Sequence, residues 1–196
     1  GNSIASGGNF NVVVGDEAGT AINTGDNNSL FGFGSGESIT TGLSNSAFGS
    51  DSLDALTTGT RNTAFGNDTL SADTLGSRAV AVGLGALQNQ NFTSATDNYN
   101  VAVGFQAGND ITTGVQNTIV GGLAGDATTT GYNNVFAGIS AGGSNTTGFL
   151  NSFSGSFAGA TNTTGAQNVA IGAEALFANT TASDNTAVGY QAGYSN

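Results

Sequence analysis

The chain has 196 residues, 33 of them glycine, and sets 13 carboxylates against 2 cationic side chains for a formal net charge of −11. With neither Cys nor His, it has no means to make disulfides or thiolate metal sites and lacks the commonest general base. Its acidic excess argues against nucleic acid and anionic membranes as partners, and the absence of any run of 18 apolar residues argues against membrane insertion.

An opening phrase recurs along the chain, beginning at Asn11, Asn28, Asn45, Asn62, Ala79, Asn100, Asn117, Asn134, Asn151, Asn168 and Asn185. Nine of the ten intervals are 17 residues and one, from Ala79 to Asn100, is 21. So strict a period marks one structural unit repeated. Residues 1–196 are therefore read as a single array: a partial coil at 1–10, eleven coils after it, and a long loop at 88–99. Within the eleven coils, the fifth, ninth and fifteenth places hold 26 of the 33 glycines. Glycine in fixed columns is turn punctuation, which tells against disorder.

Taken in order, residues 1–10 fit the back half of a coil, with Gly8 in the fifteenth-place turn. The coils at Asn11, Asn28, Asn45 and Asn62 follow, and their second halves settle into the turn phrase Thr40-Thr41-Gly42 and Thr57-Thr58-Gly59. The coil at Ala79 is four residues over length. It predicts an outward loop carrying Phe92, Asp97 and Tyr99, and such an insertion at a solenoid corner is where contacts are commonly grafted. Phe92 and Tyr99 are the expected receptor or packing contacts. From Asn100 the regular form returns and runs to Asn196.

Within each repeat, places two to four alternate as a short strand ended by the fifth-place Gly. The third place is mostly small (Ala47, Ala64, Ala81, Ala102, Ala170, Ala187) and the fourth is bulky (Phe31, Phe48, Phe65, Val82, Val103, Val120, Ile171, Val188). Adjacent places face opposite sides, so an Ala-lined interior and an apolar outer stripe are predicted. The fold class is all-β, a parallel β-solenoid of 17-residue coils. A methyl or two buried per coil contributes only ~1 kcal/mol, so a thin Ala-filled roll is marginal alone, and its exposed stripe needs a cover. The expected seam is Phe48, Phe65, Val82, Val103, Val120, Ile171 and Val188, closed between chains of a cyclic homotrimer.

Other columns offer candidate sites. The first-place residues Asn11, Asn28, Asn45, Asn62, Asn100, Asn117, Asn134, Asn151, Asn168 and Asn185 are expected to stack as a structural hydrogen-bonded ladder. The Thr pairs at places thirteen and fourteen read as turn formers, with an ice-ordering face as the sharper alternative. Asp51 and Asp68 share the seventh place in neighbouring coils, where they would repel or share a cation; as scattered surface charge they would simply solubilise. Glu174 stands alone in its column, so no carboxylate pair of the glycosidase kind is formed and no enzyme is read. No motif calls for a cofactor. Turn-side aromatics, among them Phe33, Phe105, Phe157, Tyr132, Tyr190 and Tyr194, could stack on sugar rings or on a neighbouring chain.

The string Asn168-Val169-Ala170-Ile171-Gly172 followed by Ala175, and Asn100-Val101-Ala102-Val103-Gly104 followed by Ala107, resemble the head repeats of trimeric autotransporter adhesins. The phrase Asn185-Thr186-Ala187-Val188-Gly189-Tyr190-Gln191-Ala192-Gly193-Tyr194-Ser195-Asn196, with Thr-Thr-Gly in the preceding coils, is similar to repeats of phage tail-fibre proteins and related bacterial surface fibres. The resemblance covers residues 11–196, although the adhesin unit is shorter than 17 residues. It implies a left-handed β-roll, a homotrimeric fibre, an extracellular place on a virion tail or cell surface, and a role in host or surface attachment. Expected partners are further copies of the chain, flanking fibre domains or copies stacked end to end, and cell-surface glycans. An ice-binding or surface-binding Thr-rich solenoid is the alternative.

Overall fold

The computed structural model describes residues 7–195, so most of the expected partial coil and the final Asn196 lie outside the described residues. The chain divides into two compact units, Gly1–Tyr99 and Asn100–Asn196, with the boundary directly after the over-length coil.

The first unit holds β1 (Val12–Val14), β2 (Ser29–Phe31), β3 (Ser46–Phe48), β4 (Thr63–Phe65), β5 (Gly76–Ser77), β6 (Val80–Val82) and β7 (Thr96–Asp97). Strands β1, β2, β3, β4 and β6 pair in that order, all parallel, and β5 pairs with β7. The second unit holds β8 (Val101–Val103), β9 (Thr118–Val120), β10 (Val135–Ala137), β11 (Ser152–Ser154), β12 (Val169–Ile171) and β13 (Thr186–Val188), again parallel and in chain order. The register is one repeat per coil, as in Ala47↔Ala64 and Ala170↔Ala187. Each unit is a parallel β-solenoid, and no helix occurs among the described residues.

Two glycine columns serve different ends. At the fifth place the backbone takes a φ such as +142° at Gly49, a region closed to side chains, and a Cβ there would stand 2.6 Å from the Gly66 carbonyl carbon. At the fifteenth place φ is ordinary, but a Cβ on Gly42 would stand 2.6 Å from the Gly59 carbonyl oxygen of the next coil. The first column turns the chain and the second lets coils approach.

The interior is more varied than the Ala-lined roll expected from place three. Places nine and twelve also point inward, adding Leu53, Leu70, Leu87 and Leu176 at the ninth and Ile22, Ile39, Leu56 and Ile111 at the twelfth, all buried. Ninth and third places trade volume in most coils, Ala102 with Gly108 and Ala187 with Gly193 being small at both. Leu53, Leu70, Leu87 and Leu176 face Ala47, Ala64, Ala81 and Ala170, whereas Gly36, Gly125, Gly142 and Gly159 accompany Leu30, Ile119, Phe136 and Phe153. The reason is contact: a Cβ on Gly142 would meet the Phe136 ring at 2.8 Å, and one on Gly159 would run into the Phe153 ring.

The predicted loop over 88–99 is shorter than expected. Ala72 N–H still donates to the Gln88 carbonyl at 3.1 Å, Thr74 Oγ1 reaches Asn91 Oδ1 at 2.9 Å, and the chain re-enters the ladder at Gly76↔Thr96. Phe92–Ala95 leaves the register by three residues, since Gly76 and Thr96 are 20 apart, and the fourth extra residue falls between Asp97 and the Asn100 opening. Within Phe92–Ala95 the residues Thr93, Ser94 and Ala95 are exposed, while Phe92 turns in and is 5 % exposed.

The volume trade predicts non-additive mutations. Phe153→Ala should cost about 3–5 kcal/mol through the cavity it leaves, and Gly159→Leu should destabilise by steric conflict with Phe153. The double variant gives this coil the interior of the next one, with Ala, Leu and Asn162 where that coil has Ala170, Leu176 and Asn179. Denaturant unfolding should show it recovering most of the loss, with a coupling energy of about 2 kcal/mol or more; simple addition of the two penalties would refute the pairing.

Candidate functional site

The first-place asparagines build a ladder in each unit. Asn134 is representative: its Nδ2 donates to Asn117 Oδ1 at 3.1 Å and to the Gly148 carbonyl at 2.9 Å, while its Oδ1 accepts the Asn151 backbone N–H at 3.0 Å. The same pattern joins Asn11, Asn28, Asn45 and Asn62, where Asn62 Oδ1 finally accepts the Ala79 N–H at 2.9 Å. In the second unit it joins Asn100, Asn117, Asn134, Asn151, Asn168 and Asn185. From Asn28 to Asn168 these side chains are buried, so their amides face backbone and not ligand.

The two Thr columns part company. Thirteenth-place hydroxyls donate to the next coil's carbonyl, as in Thr146 to Thr163 and Thr163 to Thr180, both 3.0 Å. The fourteenth-place file Thr113, Thr130, Thr147, Thr164 and Thr181 is exposed. One file of hydroxyls faces water and its neighbour is spent on the backbone.

The fourth-place stripe is uncovered on this chain. Phe31, Phe48 and Phe65 stack at 4.6 and 4.5 Å, and Phe65, Val82, Val103, Val120, Ile171 and Val188 are all exposed, Val188 most at 65 %. The stripe is interrupted in the second unit at Ala137 and Ser154, the coils whose interior holds Phe136 and Phe153.

On the long coil the two expected contacts separate. Phe92 is buried, because the four extra residues let it fold back over the interior, and it is withdrawn as a receptor contact. Tyr99 is 51 % exposed, under the Arg78 guanidinium at 5.7 Å, and Arg78 in turn meets Asp97 at 2.9 Å.

The carboxylates are dispersed. Asp51 accepts from Ser50 Oγ at 2.9 Å, Asp68 pairs with Asn67 and Glu174 with Gln191 at 2.8 Å. No group of three metal-ligating side chains gathers among the described residues. Asp73 is the exception in burial. It occupies the interior twelfth place, 1 % exposed, accepting from Gln90 Nε2 at 2.6 Å and from the Gly76 N–H at 2.9 Å. Burial pushes its carboxyl above the usual carboxylate range against those hydrogen bonds. Burial likewise raises Asp54, with Asp51 and Glu37 adding like charge, and Asp126, with Asp110 adding. Two successive polar residues after Ile22, Ile39 and Leu56 in the twelfth column, Asp73 and Gln90, were the sequence signal for this pair.

The concave feature of the second unit is a shallow groove of about 300 Å3 lined by Leu123, Asp126, Ser140, Gly143, Phe157 and Phe177 among others. Sequence reading singled out Phe157 but did not bring it together with Asp126. The available signal was loss of bulk at the tenth place in two neighbouring coils, Gly143 and Ala160. No protein-family model matches the chain, and neither curated proteins nor solved structures yield a significant match.

Two measurements test this account. Asn134→Ala strips partners from the Asn151 N–H, the Gly148 carbonyl and Asn117 Oδ1, and should cost about 3 kcal/mol in denaturant unfolding; a cost below about 1 kcal/mol would show the ladder to be decorative. For Asp54, Asp73 and Asp126 the folded pKa lies above the ordinary value of about 3.9, so the folded state binds more protons in the window just above it. Stability should therefore rise as pH is lowered from 7 toward 4, and Asp73→Asn, with the Gln90 amide flipped to match, should flatten that slope. A slope unchanged in Asp73→Asn would remove Asp73 from the account.

Proposed function

We propose that the chain is a segment of a structural and adhesive fibre, a viral tail fibre or cell-surface appendage, acting outside the cell as a homotrimer of left-handed β-rolls. The observation that carries this reading is the fourth-place stripe. It is the most regular apolar column on the outside of each unit, with Phe48, Phe65 and Val82 in the first and Val103, Val120, Ile171 and Val188 in the second, whereas the sixth place exposes Phe33, Leu84, Phe105, Ile139 and Tyr190 only between polar or small residues. A line of apolar groups at coil spacing matches the same line on further copies, and a three-fold axis lets each stripe meet two others. The resemblance to adhesin and tail-fibre repeats supports the hand and the number of chains. Rigid coils held by buried ladders suit a part that holds a binding surface away from its parent particle.

The ice-binding alternative needs a flat face with regular free hydroxyls. The thirteenth-place hydroxyls are bound to carbonyls, which leaves a single Thr file and favours the fibre.

Sedimentation equilibrium should give three times the 19.1 kDa chain mass, and Val103→Asp, which sets a carboxylate in the seam, should dissociate or unfold the assembly. A single-chain mass for the parent, or a Val103→Asp variant with the parent's mass and melting temperature, would defeat the seam.

A further inference from the structure

The groove of the second unit combines accessible rings with unused polar groups. Down successive coils the tenth place reads Asp126, Gly143, Ala160, Phe177 and the seventh reads Leu123, Ser140, Phe157, Glu174. Gly143 and Ala160 thus open a notch between a carboxylate and an aromatic ring. The notch is closely fitted, since a Cβ on Gly143 would already stand 3.3 Å from Asp126 Oδ1. Phe157 is 40 % exposed on the rim, and Phe177 is fixed by stacking on Tyr194 at 5.0 Å. The Thr161 hydroxyl is taken by the Phe177 carbonyl, but the hydroxyls of Ser140 and Ser144 have no hydrogen-bond partner among the described residues.

We propose that this groove is a saccharide subsite that takes a neutral pyranose of a surface glycan; it rests on the adhesive reading above and locates that activity in one place. A pyranose presents an apolar C–H face and a rim of hydroxyls. The face suits Phe157 and Phe177, and the rim suits the Asp126 carboxylate as acceptor with the Ser140 and Ser144 hydroxyls as donors or acceptors. An apolar peptide segment would strip water from Asp126 and give it no partner. An acidic sugar would meet Asp126, Asp110 and a chain of net charge −11. At about 300 Å3 the groove is at the small end of ligand sites, which suits one or two rings.

The test is saturation-transfer NMR on the intact assembly with methyl glucoside, methyl galactoside, N-acetylglucosamine and, as the anionic control, N-acetylneuraminic acid. At least one neutral sugar should receive saturation and the anionic one should not. Phe157→Gly suits the backbone, whose φ there is 57°, and should weaken the apparent affinity about tenfold. Asp126→Asn should also weaken it, with the sedimenting mass of both variants unchanged and neither melting temperature lowered. No transfer to any neutral sugar, equal transfer to Phe157→Gly, or a changed mass in Phe157→Gly would overturn the subsite, the last by showing that the ring packs against another chain. A trimeric mass without sugar binding refutes the groove alone. A single-chain mass with Phe157-dependent binding refutes the fibre and keeps the groove.

Discussion

Everything in this chain depends on the spacing between parallel coils. Backbone hydrogen bonds hold successive strands about 4.8 Å apart, and every column must therefore accept a copy of itself at that distance. Flat rings accept it by stacking: Phe31, Phe48 and Phe65 at 4.6 and 4.5 Å, Tyr132 and Phe149 at 4.9 Å, Phe177 and Tyr194 at 5.0 Å. Primary amides accept it because each is donor and acceptor at once, so Asn can be repeated from Asn100 to Asn185 without leaving an orphan. Carboxylates cannot be repeated in this way. They appear as short runs such as Glu37 and Asp54, where burial foremost, and the like charges of Asp51 and Glu37 after it, raise the Asp54 pKa, or capped by a neighbouring side chain.

The interior meets the same spacing with a fixed volume per coil. Leu53, Leu70, Leu87 and Leu176 adopt φ values of 50° to 55°, a backbone region that costs a branched side chain about 1–2 kcal/mol. Burying a Leu contributes about 1.5–3 kcal/mol, so packing prevails in the coils where Leu faces Ala47, Ala64, Ala81 and Ala170. Where the third place is Phe136 or Phe153 the void is gone, and Gly removes both the clash and the strain. The twelfth place shows a second solution: Asn145, Asn162 and Asn179 replace Ile and form an inner ladder, with Nδ2 to Oδ1 distances of 2.8 and 3.0 Å.

These two facts explain what the sequence disclosed. The period, the three-residue strands, the fifth-place turns and the first-place asparagines were legible because each is a single column that tolerates one residue type. Places nine and twelve were not, since Gly alternates with Leu and Ile with Asn, and either column alone looks like drift. Their order appears only when facing columns are compared, as with Ala170 and Leu176 against Phe153 and Gly159. Phe92 misled for a different reason. Its column is exposed Thr in every coil but its neighbour, where Leu75 is half-buried, and the extra residues beyond Phe92 give the ring room to turn inward. The groove left no motif because it consists of missing side chains.

That last point bears on how a repeat of this kind acquires a site. In the coils opening at Asn134 and Asn151 the bulk has moved inward: Phe136 and Phe153 fill the core, while the outer fourth place falls to Ala137 and Ser154 and the tenth to Gly143 and Ala160. The proposed seam is weakest in these coils, and the groove lies across them on different columns. Backbone pairing and the asparagine ladder continue through both coils unchanged, so stacking does not require outer side chains there. A fold whose register is carried by main chain and one buried amide column leaves the outward places free to vary, and a pocket can be made by deletion where a less regular fold would need a new loop.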